Sequence, residues 1–170
     1  MVLKDTDIDD LIAERKVLPP NWRRRLQLRP KEGCKHNEAK IAVEGQHGGH
    51  FRVVLRQSQD NPFDFSIILI YCHKDGSDYR QLRYNGRHPS DHTNKWEKSR
   101  GHIDHTFGPC FHIHKATQRY QEESYDIDGY ASMTTGYHDF HSALDRFRED
   151  ASFVDPDSPV GALFLEGSTV

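Results

Sequence analysis

Between residues 51 and 85 three apolar segments are joined by connections too short to carry a crossover helix, and this constrains the fold more than any other feature. Phe51, Val53 and Leu55 alternate with Arg52 and Arg56, the period of a half-buried strand. The linker QSQDNP leads into residues 63–72, which are apolar on both faces, as a strand central in a sheet would be. A turn around Asp75-Gly76 then starts residues 78–85, which end at Asn85-Gly86. Short links of this kind require antiparallel neighbours. Residues 39–43 predict a further short strand, and Trp22, Leu26 and Leu28 alternating with Arg23, Arg25 and Arg29 predict another with one basic face. Residues 111–117 return to strand, with Phe111 and Ile113 on one face and His112, His114 and Ala116 on the other.

Helical spacing occurs near both ends. Asp5 or Thr6 can cap a helix in which Ile8, Leu11, Ile12 and Leu18 recur until Pro19-Pro20 stops it. Residues 137–153 predict a second helix whose apolar face carries Phe140, Ala143, Leu144, Phe147 and Ala151. The expected architecture is α+β: a five- or six-stranded antiparallel sheet with an N-terminal and a C-terminal helix packed on it. A chain of 170 residues supports one core, so residues 1–153 are expected to form a single domain, followed by an acidic tail over 154–170 with an apolar patch at 162–165. The longest apolar run, residues 67–72, falls far short of the ~20 that a membrane span needs. The start MVLKDTDIDD is unlike a secretory signal, and three scattered cysteines suggest no disulfide framework. A soluble, cytoplasmic protein is expected, without a membrane partner.

The net charge of -3 conceals an asymmetry. Residues 79–120 carry eight Lys or Arg against three acids, whereas residues 121–170 carry two Arg against eleven acids. A basic surface for RNA or another anionic nucleic acid, partly covered by the acidic segment, is one reading; an ordinary solvated surface is the other.

Six of the twelve histidines fall within residues 88–114: His88, His92, His102, His105, His112 and His114. Imidazole exchanges protons near neutral pH and is also the commonest zinc ligand. In the first reading, a sheet face of Arg52, Arg56, Arg83, His112 and His114 binds a phosphodiester, with Lys115 and Arg119 as further phosphate contacts. There His112 and His114, assisted by His92 and Tyr84, would perform metal-independent acid–base chemistry of the ribonuclease type and need no cofactor. In the second, Cys110, His112 and His114 share strand parity, and His105 or His92 completes a zinc site. A third reading makes the same surface a non-enzymatic interaction module: an antitoxin, an inhibitor or a defence-system component. Residues 86–109 show no apolar period and read as a long loop. His36, His47, His50, His73, His138 and His141 read as surface or structural residues, and the Gly-rich run 44–50 as a flexible hairpin. Nucleotide-binding loops, serine-hydrolase elbows and HExxH motifs do not occur.

Leu82-Arg83-Tyr84-Asn85, then His88 and His92, and then His112-x-His114-Lys115 resemble the pattern of the TumE-type toxin family of bacterial toxin-antitoxin pairs, over about a fifth of the chain. An uncharacterised bacterial domain family is an equal account of the same residues. The resemblance implies a small, RNA-directed or growth-inhibiting prokaryotic toxin working with a cognate antitoxin. Arg83, Tyr84, His88, His112 and His114 are the matching positions, and the longer loop with Trp96, His102 and His105 departs from the family's compact histidine cluster.

Overall fold

The computed structural model describes residues 1–158. In chain order the elements are α1 (Asp5–Ala13), β1 (Lys16–Val17), α2 (Trp22–Arg25), β2 (Arg29–Pro30), β3 (His36–Glu44), β4 (His50–Ser58), β5 (Phe65–Cys72) and β6 (Asp78–Asn85). They continue with β7 (His92–Thr93), α3 (Lys95–Ser99), β8 (Thr106–Phe107), β9 (His112–Lys115), α4 (Gln118–Glu122), a 3-10 turn (Ile127–Gly129), β10 (Ser132–Met133), α5 (Phe140–Asp150) and β11 (Phe153–Val154). The architecture is α+β. Its main sheet is antiparallel and seven-stranded, in the order β10-β9-β6-β5-β4-β3-β2, and β5 is its middle strand. Two of the seven, β2 and β10, are two-residue edge strands.

The register divides the sheet into two faces. Ile41 opposes Val53, Val53 opposes Leu69, Leu55 opposes Ile67, Ile67 opposes Tyr84 and Tyr84 opposes Ile113, so one face is continuously apolar. Ile8 and Ile12 of α1 and Phe140, Ala143 and Phe147 of α5 pack into the same cluster. Burying such side chains contributes about 1.5–3 kcal/mol each. The other face carries Glu38, Arg56, Ser66 and Asn85 in one cross-strand row and Val54, Ile68, Arg83 and His114 in another.

Several local expectations change. The first helix ends at Ala13, and Lys16–Val17 instead pairs parallel with Phe153–Val154. The buried Lys16 ammonium donates to the carbonyls of Leu11, Ile12, Glu14 and Ala151, satisfying groups that the ends of α1 and α5 leave open. Burial lowers its pKa to about 8 against the pull of Glu14. Trp22–Arg25 is a helical turn, not a strand: Trp22 and Leu26, four apart, both face the core, a spacing that suits either period over so short a segment. The last helix spans Phe140–Asp150, started by Asp139, whose carboxylate accepts from the Ser142 amide at 2.7 Å. The Gly-rich run is a fitted cradle. The Glu14 carboxylate accepts from the amides of His47 and Gly49 at 2.7 and 3.3 Å, and a Cβ on Gly45 would stand 2.1 Å from its Oε1. Residues 86–109 are not structureless: β7 and β8 form a small hairpin around α3. The C-terminal patch at 162–165 lies outside the described residues.

Candidate metal centre

Strand parity puts His112 and His114 on the open face of β9, opposite Asn85 and Arg83 of β6. The β7/β8 hairpin lays His92 over them. The His92 ring centroid is 5.5 Å from His112 and 4.9 Å from His114, and the latter two are 4.9 Å apart. One ring nitrogen from each of the three lies within 4.8 Å of the others. Both His112 and His114 are only 2% exposed, and His92 9%. From the core side, the Tyr137 hydroxyl bridges the carbonyl oxygens of Asn85 and His112 at 2.9 and 2.8 Å, locking β6 to β9 beneath the site.

Each ring is held by one nitrogen against an oxygen that can only accept. His112 Nδ1 meets the Cys110 carbonyl at 2.8 Å, and His114 Nδ1 the Tyr130 carbonyl at 3.0 Å. His92 Nε2 meets Asn94 Oδ1 at 3.0 Å. The Asn94 amide is itself fixed by Ala131, whose N–H donates to Oδ1 and whose carbonyl accepts from Nδ2. These contacts place the protons on His112 Nδ1, His114 Nδ1 and His92 Nε2, and leave lone pairs on the remaining nitrogens. Between the two Nε2 atoms sits the Asn85 side-chain amide, 3.1 Å from His112 and 3.2 Å from His114. Arg83 Nε donates to Asn85 Oδ1 at 2.8 Å and so orients that amide with its N–H groups toward the imidazoles.

Burial keeps these rings neutral. The His112 pKa is lowered to about 4, first by desolvation and then by its neighbours, against the Cys110 hydrogen bond. For His114 desolvation, His112 and Arg83 together lower it to about 2. His92 is shifted in the same direction, also first by desolvation. At neutral pH the cluster therefore presents three uncharged imidazoles, the form in which histidine ligates metal.

The sequence-selected residues divide by location. Arg52, Arg56 and Arg83 lie on the same sheet face as the histidines, and each is paired with a carboxylate: Asp78, Glu38 and Asp128 respectively. Arg80 pairs with Asp126, so the acidic segment does lie against the basic one. Tyr84 is on the opposite face, 1% exposed, with its hydroxyl donating to Asp150; the sheet itself separates it from the imidazoles. Lys115 also has the core-side parity and pairs with Asp9 of α1. Arg119 projects from α4 onto Trp96 and Tyr130 and pairs with Glu97. His105 turns back to the His102 carbonyl, and Cys110 contributes its carbonyl, not its thiol, to His112. Among the described residues the convergent group is His92, His112 and His114, without His105 or Cys110. His88 stands beside it, its ring centroid 5.1 Å from His112.

Two residues of the site were not singled out from the sequence, Asn85 and Asn94. Asn85 had a usable signal, because it lies two residues from Arg83 on one strand and therefore shares its face. Asn94 had none, since its role depends on how the hairpin folds back onto Ala131. Beside the site, a cavity of about 270 Å³ is lined in part by Arg56, Ser66, Arg83, Asn85 and His88, without His92, His112 or His114. Comparison of the chain with protein-family models, with curated proteins and with solved structures returned no match.

Proposed function

We propose that this protein binds one divalent transition-metal ion, zinc foremost, through His92, His112 and His114. The observation that carries the reading is the convergence of three neutral imidazoles, each with one nitrogen anchored to a fixed oxygen. That outer arrangement fixes the tautomer and aim of a ligating histidine. Zinc sits about 2.0–2.1 Å from each nitrogen, so ligand nitrogens lie roughly 3.3 Å apart; closing from within 4.8 Å asks for ring shifts on the order of 1 Å. The Asn85 amide must also turn away from the two Nε2 atoms. Three nitrogen ligands leave a further coordination position, the pattern of metal sites that take a water or substrate molecule. Metal analysis of protein made without a histidine tag, with titration after chelation, tests the reading. One equivalent in the parent protein and none in His112→Ala is expected. No bound metal and no uptake in the parent overturns it.

A second reading, nucleic-acid binding with a cognate protein partner, draws support from Arg52, Arg56 and Arg83 sharing a face with the histidines. A phosphodiester would have to displace Asp78, Glu38 and Asp128 from them, so binding should weaken steeply with salt. RNA filter binding across a salt series, with cleavage followed in parent and His114→Gln protein, decides it. Salt-sensitive binding supports this reading, cleavage lost in the variant supports its catalytic form, and absence of binding at low salt rejects both.

A further inference from the structure

Three side chains that the histidine centre does not use meet on the wall of the same cavity. Cys34 closes a turn in which its amide donates to the Lys31 carbonyl, and Gly33 at φ +68 reverses the chain. His36 opens β3, and Asp64 directly precedes β5. The loop between β4 and β5 is tied back by Gln59 N–H to Lys35 O and Ser58 N–H to Asp64 O, which brings Asp64 alongside His36. Cys34 Sγ lies 3.8 Å from His36 Nδ1, and His36 Nε2 lies 3.8 Å from Asp64 Oδ2. All three line the 270 Å³ cavity.

The order of contacts matters. The Asp64 carboxylate faces Nε2 at ion-pair distance, beyond hydrogen-bond reach, and favours a proton on that nitrogen, which would turn the Nδ1 lone pair toward the thiol. Nucleophile, base and carboxylate stand in the order that base-assisted attack by a thiol requires. We propose that Cys34 is a nucleophile toward small esters or thioesters entering the cavity, with His36 as its base and Asp64 as a positioning residue. Cys34 Sγ attacks the carbonyl carbon while its proton passes to His36 Nδ1. The bond to the leaving alcohol or thiol breaks, and His36 returns the proton to that group. Water, deprotonated by His36, then hydrolyses the Cys34 thioester to a carboxylic acid and free thiol. Among the described residues neither Cys72 nor Cys110 has an imidazole in hydrogen-bond contact with its thiol, and both thiols are pushed up in pKa first by burial, that of Cys72 also by Asp78.

The test uses the whole chain with p-nitrophenyl acetate, following p-nitrophenolate release and locating the acetyl group by peptide mass mapping. Acetyl is expected on Cys34 ahead of Cys72 and Cys110, release is expected to lose its Cys34 component in Cys34→Ser, and the rate at Cys34 is expected to fall on the order of 100-fold in His36→Gln. Simple exposure of Cys34 would give the first result but not the last. Equal Cys34 rates in the parent and His36→Gln proteins, or acetyl spread evenly over the three cysteines, overturns the proposal. Cys34 is exposed and His36 half-buried, and circular dichroism verifies that both variants are folded. Metal content measured on the same samples keeps the outcome separate from that of the histidine centre.

Discussion

The two faces of the central sheet are built from the same strands by opposite rules. On the covered face Ile41, Val53, Leu55, Ile67, Leu69, Leu82 and Tyr84 interlock with α1 and α5, and every one of them is explained by packing. On the other face Arg52, Arg56, Arg80 and Arg83 each meet a carboxylate, and Val54, Ile68 and Ile70, with Cys72 against them, form a small apolar cluster. Yet that polar face holds two of the least exposed histidines in the fold, His112 and His114. Burying an imidazole and keeping it neutral costs stability that an apolar residue would not. The covered face therefore accounts for folding, and the histidine end of the open face calls for another reason.

The largest expected effect breaks the comparison from the covered side. Phe147→Ala empties a site packed on Tyr84 and Phe153 and should cost about 3–5 kcal/mol in denaturant unfolding. Acid should break it from the other side. His112 and His114 have folded pKa values of about 4 and 2, below the ordinary 6.5, so the unfolded chain takes up protons first as pH falls. Their neutral burial is free of this cost above about pH 6.5, and stability is lost progressively below it, toward the folded values. At pH 5 the loss should be about 2 kcal/mol per histidine in chelator-containing buffer, and His114→Gln should remove its share of the pH dependence.

Asn94→Ala sharpens the comparison further, because it frees His92 while leaving His112 and His114 anchored. Zinc affinity, measured by competition with a chromophoric chelator, should fall about 10–100-fold. Arg52→Ala at the rim should change unfolding free energy by less than about 1 kcal/mol and leave zinc affinity unchanged, since its pair with Asp78 is exposed to solvent.

How much of this could be read in advance follows from the range of the interactions. Period-two alternation and the turns at Asp75-Gly76 and after Asn85 identified β4, β5 and β6, and parity alone put His112, His114, Arg52, Arg56 and Arg83 on one face. Parity on the same strand also separates Tyr84 from Arg83 and argues against Tyr84 as a site residue. The short helical turn at Trp22 is ambiguous in the sequence because two apolar residues four apart fit both periods. His92 had no local pattern to distinguish it from His105, because the choice between them is made by the β7/β8 pairing, whose two partners are more than ten residues apart. Cys34 and His36 are two residues apart and meet locally, whereas Asp64 joins them only through the loop between β4 and β5, which no spacing in the chain announces.

Cobalt(II) titration of chelator-treated protein tests the histidine centre most directly, because cobalt substitutes for zinc and its visible absorption reports the coordination geometry. The account predicts low-symmetry, four- or five-coordinate bands that saturate at one equivalent, are displaced by zinc and are absent in His114→Gln. A spectrum indistinguishable from hexaaqua cobalt at every ratio, or bands that persist in His114→Gln, would contradict it.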